Sequence, residues 1–403
     1  MEQQLYELPE GWVWRDLNSA CSLITDGAHA SPKTQIIGKP YITVKDIDEA
    51  GHIDLVDCKK ISEEDFDNLI KGKCSPSEGA VLFSKDGTVG KVALVKGYEP
   101  FVVLSSLAIL EPQNELLVPE YLRWFMLSPV LQDYAIGKKT GAAIKRIVLR
   151  TIKSLEIPLP PLNEQKRIVA KLDALFTRID AVITHLQETL ELSKALFASA
   201  LDEVFSLENN KGELVSLNQV ATVARGKSKH RPRNDRTLFD GDYPFIQTGD
   251  VRNAEKYITA YSTTYNEKGL AQSKLWPVGT ICLTIAANIG EVAMLGVDAC
   301  FPDSVVGIAS DSESNEYIYY FLTTLKRHLD SKATMAAQKN INLRVLSSIE
   351  IPLPPLDEQN RIVTHLDALA ERTHALEAAT VEKLNHLTAL RASLLDAAFR
   401  GQL

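Results

Sequence analysis

Apolar positions at alternating spacings of four and three run through two long stretches of the chain. In the first they fall at Ile168, Leu172, Leu175, Ile179, Val182 and Leu186. In the second they fall at Ile362, Leu366, Leu369 and Leu376, then at Leu387, Leu390 and Leu394, with Thr373 where the first stretch has Ile179. This is the seam of a coiled coil. Neither stretch meets a Gly or Pro before Phe205 or Gly401, so each predicts a helix of about 40 residues, about 60 Å long at 1.5 Å per residue. The first is introduced by Ile157-Pro158-Leu159-Pro160-Pro161-Leu162. Its prolines fix φ and remove donors, which predicts a rigid, extended lead-in. Asn163, or Asp357 in the second stretch, follows as an N-cap, with Glu164 and Gln165 in the first turn.

The two stretches are copies of one another. Residues 156–175 read EIPLPPLNEQKRIVAKLDAL and residues 350–369 read EIPLPPLDEQNRIVTHLDAL, aligned without a gap. The register continues to Asp202/Asp396 and Phe205/Phe399. A duplication of this length makes the molecule two similar halves. Two equal helices in one chain can bury each other's stripes. An antiparallel pair is expected, because each helix starts where its own globular segment stops. The Ile168–Leu186 stripe is expected to face Ile362, Leu366, Leu369 and Leu376.

Before each helix lies a segment of short apolar runs separated by glycines, a β-rich pattern. In the first segment a strand or short helix runs through Leu17 to Ile24, followed by runs at Pro40–Val44, Ala80–Ser84, Lys91–Val95 and Phe101–Leu110. A helix is predicted over Glu120–Tyr134. The second segment repeats this order loosely: Pro40-Tyr41-Ile42 answers Pro244-Phe245-Ile246, Gly79-Ala80-Val81 answers Gly279-Thr280-Ile281, and Glu120-Tyr121-Leu122 answers Glu316-Tyr317-Ile318. The globular parts share a fold but have diverged, which suggests two readers with different targets on one scaffold.

Composition is that of a water-soluble globular protein, 45% hydrophobic and 24% charged. Met1–Glu10 is polar and acidic, unlike a signal peptide, and the longest apolar candidate, Val278–Val297, is interrupted by Glu291 and glycines. Five cysteines without a CxxC pair read as reduced thiols in a cytoplasmic protein, with neither disulfide framework nor zinc site. The net charge of −8 is unevenly placed, −4 on residues 1–150 and +1 on residues 206–348. A chain that grips DNA locally can still be acidic overall.

No catalytic motif stands out. Gly226-Lys227-Ser228 has Ala221 where a phosphate loop needs glycine, and no HExxH, GxSxG, GxGxxG or aminomethyltransferase motif occurs. Pro302-Asp303 is followed by Glu313-Ser314-Asn315, with Asn where a nuclease cluster needs Lys. Catalytic and metal residues are therefore expected to be absent from this chain.

Basic loops carry the positive signal. Residues 225–236 hold Arg225, Lys227, Lys229, Arg231, Arg233 and Arg236, with His230 among them, and Pro and Gly make the stretch a loop. Arginine suits bidentate guanine or phosphate contact, and lysine suits phosphates. Gln247, after the run Pro244–Ile246, offers an amide to base edges. A second basic loop recurs before each long helix: Lys138, Lys139, Lys145 and Arg146 in the first half, Lys339, Asn340 and Arg344 in the second. His29, Lys33 and Lys45 are the first segment's further candidates. A solvated surface loop is the competing reading for all of them.

The two PLPPLxEQxRIV stretches, the long helices and the terminal Ser393–Leu403 run resemble the specificity (S) subunit of type I restriction–modification systems, over essentially the whole chain. The resemblance implies an α+β fold: two similar mixed α/β target recognition domains separated by two long antiparallel coiled-coil helices, an internal pseudo-twofold duplication. It implies a first recognition domain at 1–154, a central conserved region with a spacer helix at 155–208, a second recognition domain at 209–348 and a C-terminal conserved region at 349–403. Each domain would read one half of a split DNA site. The partners implied are double-stranded DNA, two methyltransferase (M) subunits docked on the helices, and restriction (R) subunits. S-adenosylmethionine, ATP and magnesium would belong to those partners and none to this chain. Two other classes compete: an S-like subunit of another modification-based defence system, and a coiled-coil adaptor that leaves DNA mobility unchanged. Methyl transfer or cleavage by the isolated chain would instead mark an enzyme.

Overall fold

The computed structural model describes residues 6–132, 146–206, 212–286, 289–331 and 343–403, side chains of 326–331 excepted. The chain divides into two units, Met1–Leu186 with Val381–Leu403, and Gln187–Thr380.

In the first unit the main sheet has the order Cys21–Asp26, Leu107–Pro112, Val81–Ser84, Val92–Leu94. Cys21–Asp26 and Val81–Ser84 both run antiparallel to Leu107–Pro112, so their C-terminal ends share one edge. Val81–Ser84 is apolar at every position but its last and is buried on both faces, as a central covered strand must be. A smaller sheet sets Lys39–Ile42 between Lys59–Ile61 and Val102–Val103. The expected run Phe101–Leu110 is therefore two strands, broken at residues 104–106 where the chain passes between sheets. The expected helix Glu120–Tyr134 is interrupted: Pro119–Met126 ends at Leu127, and helix resumes at Pro129 over residues 129–132.

The second unit repeats the plan. Thr222–Arg225, Val305–Ala309 and Ile281–Thr284 lie side by side in the same antiparallel arrangement, extended by Val292–Leu295 and Tyr257–Ile258. Gly79 and Gly279 occupy the same turn, at φ 85° and 81°. Each donates its N–H across the sheet at 2.8 Å, to Val95 O and Leu295 O. A side chain at such a φ is strained, which explains the recurring glycine.

Both PLPP lead-ins are strands. Glu156–Leu159 pairs antiparallel with Val13–Asp16, and Glu350–Leu353 pairs antiparallel with Glu213–Ser216. Each globular part is thus closed by pairing the strand that enters it with the strand that leaves it. The long helices follow, Leu162–Phe205 and Leu356–Phe399, 44 residues each. They start one residue before the expected caps. Asn163 and Asp357 lie inside the first turn, and Pro161 O accepts from Glu164 and Gln165 N–H.

The helices pair antiparallel within each unit, in a register that corrects the expected one. Ile168, Leu172 and Phe176 pack with Leu395, Ala398 and Phe399 in the first unit. Ile362 and Leu366 pack with Phe197, Leu201 and Val204 in the second. Ile168 and Leu172, expected against Ile362 and Leu366, share a core with the end of the second helix instead. The seam is also less apolar than its spacing implies. Val182, Leu376 and Leu390 are 46–47% exposed, whereas Thr373 and Thr380 are buried. Leu175, Leu186, Leu369 and Leu387 are half-buried and Ile179 is buried. All five cysteines are buried and free. Among the described residues no helix is long and apolar enough to cross a membrane.

Candidate nucleic-acid interface

Each globular part is locked to the helices by a repeated set of contacts. Gln165 and Gln359 are wholly buried. Gln165 Oε1 accepts from Val118 N, while its Nε2 donates to Leu116 O and Pro160 O at 2.9 Å each. Gln359 Oε1 accepts from Ser314 N, and its Nε2 donates to Pro354 O and to Glu313. Tyr121 and Tyr317, also fully buried, donate their hydroxyls to Pro158 O and Pro352 O. Burial pushes the Tyr121 hydroxyl far above its ordinary range, so it stays a donor. Asp173 accepts from the Trp124 indole N–H, and Asp367 from the Tyr320 hydroxyl and Lys256. The far helix completes the lock: Phe399 stands edge-on to Tyr121 and Phe125, and Phe205 against Tyr317 and Phe321.

On this frame the loops at one edge of each main sheet carry different chemistry. Gly27 and Gly226 launch the first loop in each unit. A Cβ at Gly27 would stand 1.9 Å from Val103 O, and one at Gly226 would stand 2.2 Å from Phe301 O, so only glycine passes this crossing. The residues beside them differ. In the first unit Asp26 accepts from His29 at 3.2 Å and from Lys85 at 3.1 Å, with Lys85 only 2% exposed. In the second unit the strand ends on exposed Arg225, and Ile285 stands beyond Thr284 where Lys85 follows Ser84.

In the first unit Arg146 joins this edge, its Nε 3.6 Å from Asp86, while Ile147 N donates to Lys85 O. Lys33 and Lys45 are exposed. Lys45 sits in a short turn whose Asp46 accepts from Thr43 N at 2.7 Å. Gln247 stands in the second unit where Thr43 stands in the first, its N–H donated to Asp250 at 2.7 Å. Lys138, Lys139, Lys145, Lys339 and Asn340 lie outside the described residues. Arg344 is exposed on Leu343–Ser347, just ahead of the lead-in strand.

The basic loop of the second unit is ordered by its own side chains. His230 Nε2 and Asp235 are 2.7 Å apart, and the Asp235 carboxyl also accepts from Thr237 N. Hydrogen bonds from Thr237, then from His230, hold Asp235 down at about 2. Arg231 Nη1 donates to Ser228 O and His230 O, so part of that guanidinium serves the loop itself. Arg225, Lys227, Lys229 and Arg236 are exposed with no acidic side chain within salt-bridge distance among the described residues. Arg233, Arg236 and Gln247 line one cleft of about 700 Å³, with Thr248, Thr263 and Ser304. Its wall combines guanidinium, amide and hydroxyl groups, the donors and acceptors that base edges and phosphates require.

Sequence reasoning missed the burial of the glutamines, the two crossing glycines, the Asp26–Lys85 pair and the pairing of Asp303 with Arg233. The recurring Glu-Gln dipeptide was the available signal for the first. Nothing in the local pattern marks the others. Among the described residues no group of three His, Cys, Asp or Glu is arranged to hold a metal.

Comparison with known proteins agrees with this duplicated plan. A Methanocaldococcus jannaschii protein named as the MjaX specificity subunit of a type I restriction enzyme is 27% identical over 387 residues, covering 91% of this chain and 88% of that one. A chain from a structure of complex assembly and conformational transition of the type I R-M system matches with TM-score 0.79 and 24% identity, over 99% of this chain and 100% of that one. The HsdS subunit of Thermoanaerobacter tengcongensis matches with TM-score 0.58 and 25% identity, over 100% of both. Residues 9–192 and 209–386 each match the family described as the type I restriction modification DNA specificity domain. With both halves matched, and both halves built on the same buried glutamine and tyrosine locks, the chain belongs to the type I restriction–modification DNA specificity family.

Proposed function

We propose that this chain is the sequence-reading subunit of a type I restriction–modification complex, and that each recognition domain reads one half of a bipartite, asymmetric DNA target. One observation carries this reading. A buried tyrosine and a buried glutamine hold the lead-in strand in the same way in both units, while the loops at the sheet edge differ: Asp26 and Lys85 in one, Arg225 and Ile285 in the other. A shared frame with unlike loops suits two different half-sites.

The chain supplies recognition and performs no chemistry itself. Two methyltransferase subunits would dock on the helices, where Leu192, Leu196, Val381 and Leu390 are 46–69% exposed. Apolar side chains left out on a helix face fit subunit docking. Restriction subunits complete the assembly. S-adenosylmethionine, ATP and magnesium would sit on those partners. DNA contact falls to the basic loop of the second domain, to Arg146 and Arg344, and to Lys138, Lys139, Lys145, Lys339 and Asn340 ahead of the helices.

Single-molecule sequencing of host DNA tests the reading. With the chain and its methyltransferase partners present, methylated adenines are expected in one split motif, and deletion of the chain should abolish them. Methylation that persists unchanged without the chain would refute the assignment.

A further inference from the structure

Arg233 is held in a way its loop neighbours are not. Its Nη2 donates to both carboxylate oxygens of Asp303, at 2.7 and 2.8 Å. Asp303 belongs to the turn between Ala299–Cys300 and Val305–Ala309, so the sheet carries it and the basic loop does not. That turn is pinned: Val305 N donates to Pro302 O at 3.0 Å, and Ser304 O accepts from Ile285 N at 2.9 Å. Both partners remain accessible, 48% and 42% exposed, and Arg233 faces the cleft it shares with Arg236 and Gln247.

A pair this exposed adds little to stability. An acidic group beside a cationic cleft also lowers attraction for phosphates. Its geometric effect is larger. With Nη2 committed to Asp303, the guanidinium is restrained at that end, and Nη1 and Nε keep their hydrogens for another acceptor. An unheld arginine can swing to whichever phosphate is near and strengthens binding to every sequence alike. A held one offers its donors at one place, where guanine presents acceptors and adenine presents an amino donor.

We propose that Asp303 is a positioning residue that aims Arg233 at one base edge of a DNA half-site, giving discrimination at a single base pair and costing overall affinity. The inference rests on the chain being the DNA-reading subunit. Removing Asp303 adds one net positive charge at the cleft and frees Arg233. Affinity for unrelated DNA should then hold or rise, with a steeper salt dependence, while discrimination falls about tenfold at one position. A merely structural role would instead weaken binding to all sequences.

The test uses the full chain in complex with its methyltransferase partners and a pool of randomised duplex DNA, with methylated adenines read by sequencing. Asp303→Ala and Arg233→Ala should relax the same single position in one half-site and leave the other half-site intact. Asp303→Glu should restore part of the preference, since a carboxylate is still present. Unchanged preference in Asp303→Ala overturns the inference, as does relaxation at a different position from Arg233→Ala. Loss of methylation on every sequence in both Asp303 variants marks a folding role and also overturns it. If the wild-type complex shows no split motif at all, the DNA-reading assignment fails, and this inference falls with it.

Discussion

Gln165 and Gln359 each place an amide where no water reaches; Gln165 uses its donors and its acceptor entirely on backbone, and Gln359 shares its donors between backbone and the Glu313 carboxylate. An aliphatic replacement keeps most of the volume and none of the bonds. Each buried backbone group left unpaired costs about 1–3 kcal/mol. Gln165→Leu should therefore destabilise the first unit by at least about 2 kcal/mol in urea unfolding, well beyond the roughly 1 kcal/mol expected for Tyr121→Phe, which removes a single hydroxyl bond. A loss below about 0.5 kcal/mol for Gln165→Leu would mean that water or a neighbour takes over these bonds. Gln165 also marks a limit of the linear pattern. Glutamine beside glutamate near a helix start reads as first-turn polarity, yet Glu164 turns out to Arg167 at 2.7 Å while Gln165 turns in. Nothing in the local sequence separates those two orientations; the repeat only says that both matter.

The long helices were the most legible elements, because uninterrupted periodicity over 44 residues leaves no competing structure. Their pairing partners were not legible. A seam specifies which residues face a neighbour but not where along the neighbour they fall, and Ile168 meets Leu395 and Phe399 where Ile362 was expected. The short strands were partly legible: glycines marked their ends, while the break at residues 104–106 depends on a switch between sheets that alternation does not encode. The basic loop was visible as composition, but the bonds of Arg231 to the Ser228 and His230 carbonyls and of Arg233 to Asp303 belong to the folded geometry. Within the seam, Thr373 is buried where the repeat carries Ile179, and its hydroxyl donates only to carbonyls of its own helix, Leu369 and Ala370. Those carbonyls lie where the helix ladder already offers them partners. Thr373→Val should thus cost nothing and raise stability by up to about 1 kcal/mol through the added apolar burial, seen as a higher midpoint of thermal unfolding. A drop of more than about 1 kcal/mol would show that the hydroxyl is needed across the seam.

Across the whole molecule, frame and readers can be exchanged separately only if the locks travel with them. Replacing residues 217–346 with the equivalent segment of another member of the family should change one half of the methylated motif and spare the other. The donor segment must bring a tyrosine at position 317 for Pro352 O, a backbone N–H at position 314 for Gln359 and a hydroxyl at position 320 for Asp367. A donor lacking them should give an unstable chain, and a stable chimera that alters both half-motifs would refute the assignment of one domain to one half-site.

In the first unit the Tyr6 hydroxyl donates to Phe399 O, the Arg400 guanidinium lies 4.5 Å from the Tyr6 ring centre, and the side chain of Pro9 lies against Gly401. In the second unit Phe205, the repeat of Phe399, is followed along the same chain by the entering strand Glu213–Ser216. A peptide connection thus stands in one unit where side-chain contacts join the corresponding residues in the other. Joined across those contacts and opened before Gly212, the same residues would make the same pairs in a different order. Which reader comes first is then a property of the gene and not of the fold. A gene carrying the two halves in the opposite order would encode an equivalent molecule that a strictly linear alignment recognises only by halves.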